Sequence, residues 1–384
     1  MNLAHYFDPS EALPNPLGLS KDASLFGKLN KTSVTENLTI DNNTLVIFGV
    51  TESRNSNNHS ATNAPESVRK YLYALSGSSI KKNLIDLGNL KQTANPADTY
   101  MAVRDVTAFL ASKGATVIII GGTQEITWPI YQAVLENQQQ VNLSIADYNI
   151  DLGNNDGDFS STCFVDKLIA EGSDKLFNLN FIGYQGYLVN SQHIKLLQSK
   201  SHELYRLGYV RSSMAEVEPT LRDSDILSFD MGCIKQSDSP GSIYPSPNGF
   251  YSEEVCQLSR YAGLSPRVKV FGVFELSTIN DPSGHSSHLA AQIIWHFVDA
   301  FNQRRNGLNT TTSSEGIKRF YINSPIPGVD LIFLHNTLTD TWWIEIPESE
   351  KHAAHILACS YNDYKRASSG DVPDRWLHAL KKLT

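Results

Sequence analysis

Short, nearly continuous apolar runs alternate with longer amphipathic stretches along most of the chain. The runs TLVIFGV (44–50), KNLIDL (82–87), TVIIIGG (116–122), NLSIAD (142–147), NLNFIGY (178–184), ELYRLGYV (203–210), DILSFDM (225–231) and VKVFGVFEL (268–276) read as strands. With little polar alternation inside them, they predict strands covered on both faces. Between them, 65–76, 97–113, 125–138, 252–264 and 286–305 predict helices. In the last, Leu289, Ile293, Phe297 and Phe301 recur every four residues and place one apolar stripe toward a sheet. This alternation over 43–305 predicts an α/β fold: a doubly wound, mainly parallel sheet with right-handed crossovers.

The texture differs at both ends. Residues 1–42 form a lead segment punctuated by Pro and Ser. Beyond Arg305, NGLNTTTSSEG (306–316) reads as a surface loop, RFYIN as a strand, and LIFLHN and TWWIEIP, joined by TLTD, as a hairpin. A helical tail over 348–380 completes the expected C-terminal α+β appendage (306–384), read as a lid packed on the main domain. Trp342 and Trp343 are adjacent on one strand and must point to opposite faces.

Composition narrows the function. With 384 residues and 41% hydrophobic residues, a full core is available. A net charge of -8 argues against nucleic acid as partner, because phosphate contacts need a clustered basic surface. The start MNLAHYFDPSEALPN lacks a basic segment followed by an apolar core. No apolar run approaches the roughly 18 residues that cross a bilayer, so no membrane partner is expected. Cys163, Cys233, Cys256 and Cys359 lack CxxC spacing, which suggests neither a disulfide framework nor a zinc knuckle. The expected location is the cytoplasm.

In parallel α/β sheets ligands sit beyond the carboxyl ends of the strands. Three such ends carry polar residues: GGTQE (121–125), ADYNID (146–151) and SFDMG (228–232). Asp147, Asp151 and Asp230 would gather there, and clustered carboxylates repel unless a cation or protonation compensates. Each Asp alone reads more often as a helix cap or a solvated loop residue.

In this order and spacing the chain resembles the ureohydrolases (arginase, agmatinase and formimidoylglutamase), and most resembles the last, over about 43–303. The family motifs GGxH, DAHxD and SxDxD, with a later Glu, fall here on Gly121-Gly122-Thr123-Gln124, Asp147-Tyr148-Asn149-Ile150-Asp151, Ser228-Phe229-Asp230-Met231-Gly232 and Glu275. NAPESVRKYL (63–72) is similar to the family's GPxxIR segment, and SPGSIYPSPNGF (239–250) to its PG-rich run. The resemblance implies an arginase-like three-layer α/β/α domain and, as precedent for a homo-oligomer, trimers or hexamers. It also implies a dinuclear manganese site whose bridging hydroxide attacks an amidine or guanidine carbon.

Measured against that pattern, Gln124 and Asn149 stand where the family has metal-ligating histidines, and Gly232 where it has an aspartate. The second metal would be left with Asp147, Asn149, Asp230 and Gly232, which makes dinuclear manganese unexpected. The first would see Gln124, Asp147, Asp151 and Asp230, an all-oxygen set suited to one Mg²⁺ or Ca²⁺. Tyr148 replaces the family's alanine and would fill space beside the metal position. Lys235, at the position of a further family aspartate, could supply the missing positive charge or be a solvated loop lysine. Glu275 is expected at the substrate's planar nitrogen group.

Two functional readings follow. One is a non-hydrolytic descendant with the crevice kept for a small-molecule or protein ligand. The alternative is a hydrolase of linear amidine C–N bonds using a single divalent cation on Asp147, Asp151, Asp230 and Gln124. His285 with His288 and His352 with His355 lack a third ligand. Cys233 has no evident base, and the polar loop 51–64 should border the crevice.

Overall fold

The computed structural model describes residues 1–14, 19–30, 39–153, 159–172, 175–304, 316–326, 329–348 and 354–383. The main domain runs β1 (Phe7–Asp8), α1 (Leu25–Lys28), β2 (Thr44–Gly49), α2 (Ala64–Leu72), β3 (Asn83–Leu90), α3 (Pro96–Ser112), β4 (Thr116–Ile120), α4 (Thr127–Leu135), β5 (Val141–Ala146) and α5 (Phe164–Glu171). It continues β6 (Leu176–Tyr184), α6 (Ser191–Ser199), β7 (Leu204–Arg206), α7 (Leu207–Ser212), α8 (Glu218–Asp223), β8 (Ile226–Asp230), α9 (Ser252–Leu264), β9 (Val270–Phe274) and α10 (His285–Asn302).

These strands form one nine-stranded sheet in the order β1-β3-β2-β4-β9-β8-β5-β6-β7. Only the short edge strand β1 is antiparallel to its neighbour. Because side chains alternate along a strand, the apolar runs feed two cores. Ile118 and Ile120 face α2, α9 and α10, together with Leu289, Ile293, Phe297 and Phe301. Val117 and Ile119 face the other way, toward Val103, Ile130 and Phe164 of α3, α4 and α5. The result is the expected three-layer α/β/α arrangement.

Two sequence expectations are corrected. The run 203–210 is a strand only over Leu204–Arg206, and Leu207–Ser212 turns into α7. Leu207, Val210, Met214 and Val217 all pack on the core, and their spacing of three to four residues is helical rather than alternating. The tail 348–380 is not all helix either. His355–Cys359 forms β13, pairing antiparallel with β12 (Thr341–Ile346), before α11 (Tyr361–Ser368) and α12 (Asp374–Leu383). A five-residue apolar run such as HILAC does not distinguish strand from helix by periodicity, and the open edge of β12 selects the strand.

β10 (Ile317–Asn323), β11 (Asp330–Asn336), β12 and β13 form a separate antiparallel sheet with its own core, including Phe333, Trp342, Ile344 and Trp376. Trp343, on the opposite face from Trp342, stacks under Arg222 at 4.5 Å. This sheet docks through Arg222 Nη2 to the carbonyls of Trp342 (3.0 Å) and Cys359 (3.1 Å), Arg375 to Glu203 (3.1 Å), and Lys382 to the Phe177 carbonyl (2.7 Å). Phe177 lies at the start of β6 and Asp223, which accepts from the Ala358 N–H, just before β8. The appendage therefore packs on the main domain at the amino ends of the strands, away from the strand-end crevice. The loop 306–315, Arg305, His352 and Thr384 lie outside the described residues.

Candidate active-site crevice

The chain leaves β4 and re-enters the sheet at β5, three positions along, and β9 and β8 fill the gap. Such a switch point opens a crevice at the carboxyl strand ends. Gly121–Gln124, Asp147–Asp151, Ser228–Gly232 and Glu275 lie at or just beyond the carboxyl ends of these four neighbouring strands.

After β4, Gly121 and Gly122 adopt φ of +80° and +74°. A Cβ at Gly121 would fall 2.6 Å from Pro65, so the turn needs glycine for both conformation and space. This turn delivers Gln124, fully buried, into the crevice. Its Nε2 donates to Ser228 Oγ (3.2 Å), and its backbone N–H donates to Glu275 Oε1 (3.0 Å). No donor among the described residues reaches Gln124 Oε1.

After β5, Asp147 accepts the Asn149 N–H (3.1 Å), and Asn149 Nδ2 donates to Asp151 Oδ1 (3.2 Å). After β8, Asp230 accepts the Gly232 N–H (2.5 Å). Asp151 and Glu275 sit at φ of +43° and +61°, left-handed conformations that side-chain-bearing residues adopt at a cost. Glu275 is held there by the Gln124 N–H and by Asn58 Nδ2 (3.1 Å), from the loop expected to border the crevice.

Burial dominates the electrostatics. It pushes Asp147, with Asp151 and Asp230 adding repulsion, well above the ordinary carboxylate range. Burial together with the Glu275 charge does the same to Asp230. Asp151 rises to about 6 and Glu275 to about 7 through burial. Asp147 Oδ2 has no hydrogen-bond partner among the described residues. Burial and mutual repulsion thus favour the protonated form throughout the cluster.

Sequence reasoning missed Glu125. It is fully buried and accepts from Tyr100 (3.1 Å) and Thr123 (2.8 Å) at Oε1, and burial with the nearby Glu275 raises it to about 8. In the sequence it reads as an ordinary acidic residue opening a helix; its position directly after Gln124 was the available signal.

Lys235 does not join the carboxylates. Its Nζ lies 3.3 Å from Asp238 and 3.7 Å from the Tyr251 ring centroid, so the expected charge replacement gives way to a local ion pair and ring contact. Burial and Asp230 raise the Cys233 thiol well above its ordinary range, so it is no thiolate nucleophile. His288 stacks on Tyr71.

Tyr148 lies against Gly232. A Cβ at Gly232 would meet Tyr148 Cε1 and Asp230 Oδ1, each at 3.0 Å. Among the described residues no three His, Cys, Asp or Glu side chains are arranged to hold a metal ion. The remaining cavity, about 30 Å³, is lined by Tyr148, Asp151, Ser161, Asp230, Tyr244 and Glu275, among others. That is room for one or two waters.

The arginase family matches residues 43–299, the whole sheet-bearing domain from β2 to α10. The chain belongs to the arginase family. Formimidoylglutamase from Bacillus subtilis is 24% identical over 275 residues, covering 65% of this chain and 85% of that protein. The Staphylococcus haemolyticus formimidoylglutamase is 25% identical over 228 residues, covering 56% and 71%. The fold is shared with the crystal structure of Trypanosoma cruzi formiminoglutamase with manganese, at a TM-score of 0.63, 21% identity and coverage of 68% and 94%. No helix among the described residues is long and apolar enough to cross a membrane.

Proposed function

We propose that this arginase-family chain no longer hydrolyses amidine or guanidine C–N bonds at a dinuclear manganese centre, and that the crevice binds a small ligand, or a partner's side chain, carrying a cationic group. The observation that carries this is the meeting of Tyr148 and Gly232. Where the family resemblance calls for a carboxylate, this chain has no side chain, and a phenol ring crowds the space. Gln124 and Asn149 compound the loss, being neutral amides where the resemblance calls for imidazoles. The manganese pair does not fit this donor set.

What remains suits a cation. Asp151, Asp230 and Glu275 converge on one small cavity with Tyr148 and Tyr244 beside them. The N–H edge of a guanidinium or amidinium reaching into it would favour the ionised carboxylates that burial disfavours and form charge-assisted hydrogen bonds. Calorimetric titration with agmatine and its neutral amide analogue tests this. Saturable binding of the cation, weakened about tenfold or more by Glu275→Gln, is expected without release of urea. Manganese-dependent urea release would refute the reading.

One observation favours the second reading, a hydrolase with a single divalent cation. Gln124 Oε1 and Asp147 Oδ2 are buried acceptors without donors, which an oxygen-seeking cation would satisfy. Stoichiometric Mg²⁺ or Ca²⁺ in the purified protein would support it.

A further inference from the structure

A second, larger cavity of about 580 Å³ lies behind the crevice. Its walls are the first turns of α3 (Pro96, Ala97, Tyr100, Met101, Arg104), Trp128 and Gln132 of α4, Phe159, Lys167 of α5 and Asn55. The volume falls within the range of sites for small organic ligands. Two short segments separate it from the carboxylate crevice: Asn55 and Phe159 line the larger space, their near neighbours Ser56 and Ser161 the smaller one. These segments are tied by the Ser161 N–H to the Asn55 carbonyl (3.1 Å) and by Ser161 Oγ to Ser56 Oγ (3.0 Å).

Three rings shape the interior. Tyr100 meets Trp128 and Phe159 edge-on, at interplanar angles of 89° and 87°. The three rings touch one another edge to face, with centroids 5.4 to 6.4 Å apart, and form one aromatic wall on which a flat ring can pack. Tyr100 is fixed by Asn55 Nδ2 (3.0 Å) and by its own bond to Glu125, so its wall is preorganised.

The charged residues on the lining are both cations. Arg104 is satisfied by Asp105 (2.7 Å) and Glu136 (3.5 Å). Lys167 is held more loosely: among the described residues its ion pair is with Glu171 Oε1 at 4.0 Å, and the other Glu171 oxygen accepts from the Trp128 indole N–H (2.8 Å). The Lys167 ammonium instead rests over the Trp128 ring at 3.7 Å and the Phe159 ring at 4.9 Å. A cation held against the aromatic wall of a cavity, with only a long ion pair to its carboxylate, is placed to receive an anion attached to a ring.

We infer that this cavity is a binding site for a flat aromatic or heteroaromatic acid, its ring against the wall formed by Tyr100, Trp128 and Phe159 and its anionic group on Lys167. The site is separate from the carboxylate crevice, which would repel such a ligand, and it stands whether or not the crevice binds a cation.

The test is titration of the full chain with 2-naphthoate, followed by calorimetry and Trp fluorescence, with 2-naphthalenemethanol as the uncharged control. Saturable one-to-one binding is expected, with the alcohol about tenfold weaker. Lys167→Met keeps the apolar stem, and should weaken naphthoate to the level of the alcohol while leaving the alcohol unchanged. Met101→Trp, at a helix position 52% exposed and so tolerant of a larger side chain, should fill the mouth and abolish both. Absence of saturable naphthoate binding to the wild type overturns the inference. So does binding that neither substitution changes.

Discussion

Tyr148 and Gly232 meet across the crevice so closely that a single added carbon at 232 would lie 3.0 Å from the Tyr148 ring. The two positions are coupled: the phenol fits because 232 has no side chain. Gly232→Asp alone should therefore destabilise the protein by about 1–3 kcal/mol through overpacking, and Tyr148→Ala in the same chain should recover much of that loss. Denaturant unfolding of the single and double variants measures the coupling, and additive effects would mean that the residues do not share the space.

Buried acids make stability fall with rising pH. Glu125 is raised to about 8, above its unfolded value, so its contribution is complete below the unfolded pKa. It is lost as pH climbs through the interval up to about 8. Glu125→Gln keeps the acceptor for Tyr100 and Thr123, and should stabilise the protein at pH 8.5 on the order of 3 kcal/mol while changing little at pH 5. Melting temperatures across pH check this; equal shifts at both pH values would contradict it.

His202 acts in the opposite direction. Burial, with Lys382 and Lys200 nearby, lowers it to about 3, and its Nδ1 accepts the Leu179 N–H at 3.3 Å. Its folded pKa is depressed, so the stability it contributes is present above the unfolded value near 6.5 and lost as pH falls toward 3. His202→Asn should flatten the acid limb of the stability profile, and an unchanged limb would show that another group controls it.

The appendage depends on a buried ion pair. Glu203 and Arg375 lie 3.1 Å apart, and Arg375 also contacts Tyr205 and Thr220. Arg375→Met should cost about 3–5 kcal/mol because it strands a buried carboxylate, and Glu203→Gln in the same chain should recover part of it. Urea unfolding decides between this and a pair that contributes nothing.

The apolar runs made the sheet legible because strands covered on both faces need no polar alternation, and the strand ends then located Asp147, Asp151, Asp230 and Gln124. What escaped was set by long-range contacts. Lys235 could not be assigned from its position in the chain, since the proximity of Asp238 and Tyr251 decides where its ammonium goes. Glu125 gave no local sign of burial, because Tyr100, some 25 residues earlier, encloses it. β13 was hidden in a run too short to show a period, and only the edge of β12 defines it.

The central claim concerns metal and turnover together. Protein purified without added metal, then incubated with manganese and desalted, should be analysed for bound manganese and assayed for formamide release from formimidoylglutamate and urea release from arginine and agmatine. The account predicts less than stoichiometric manganese and no release above background. Two manganese ions per chain with metal-dependent product release would contradict it.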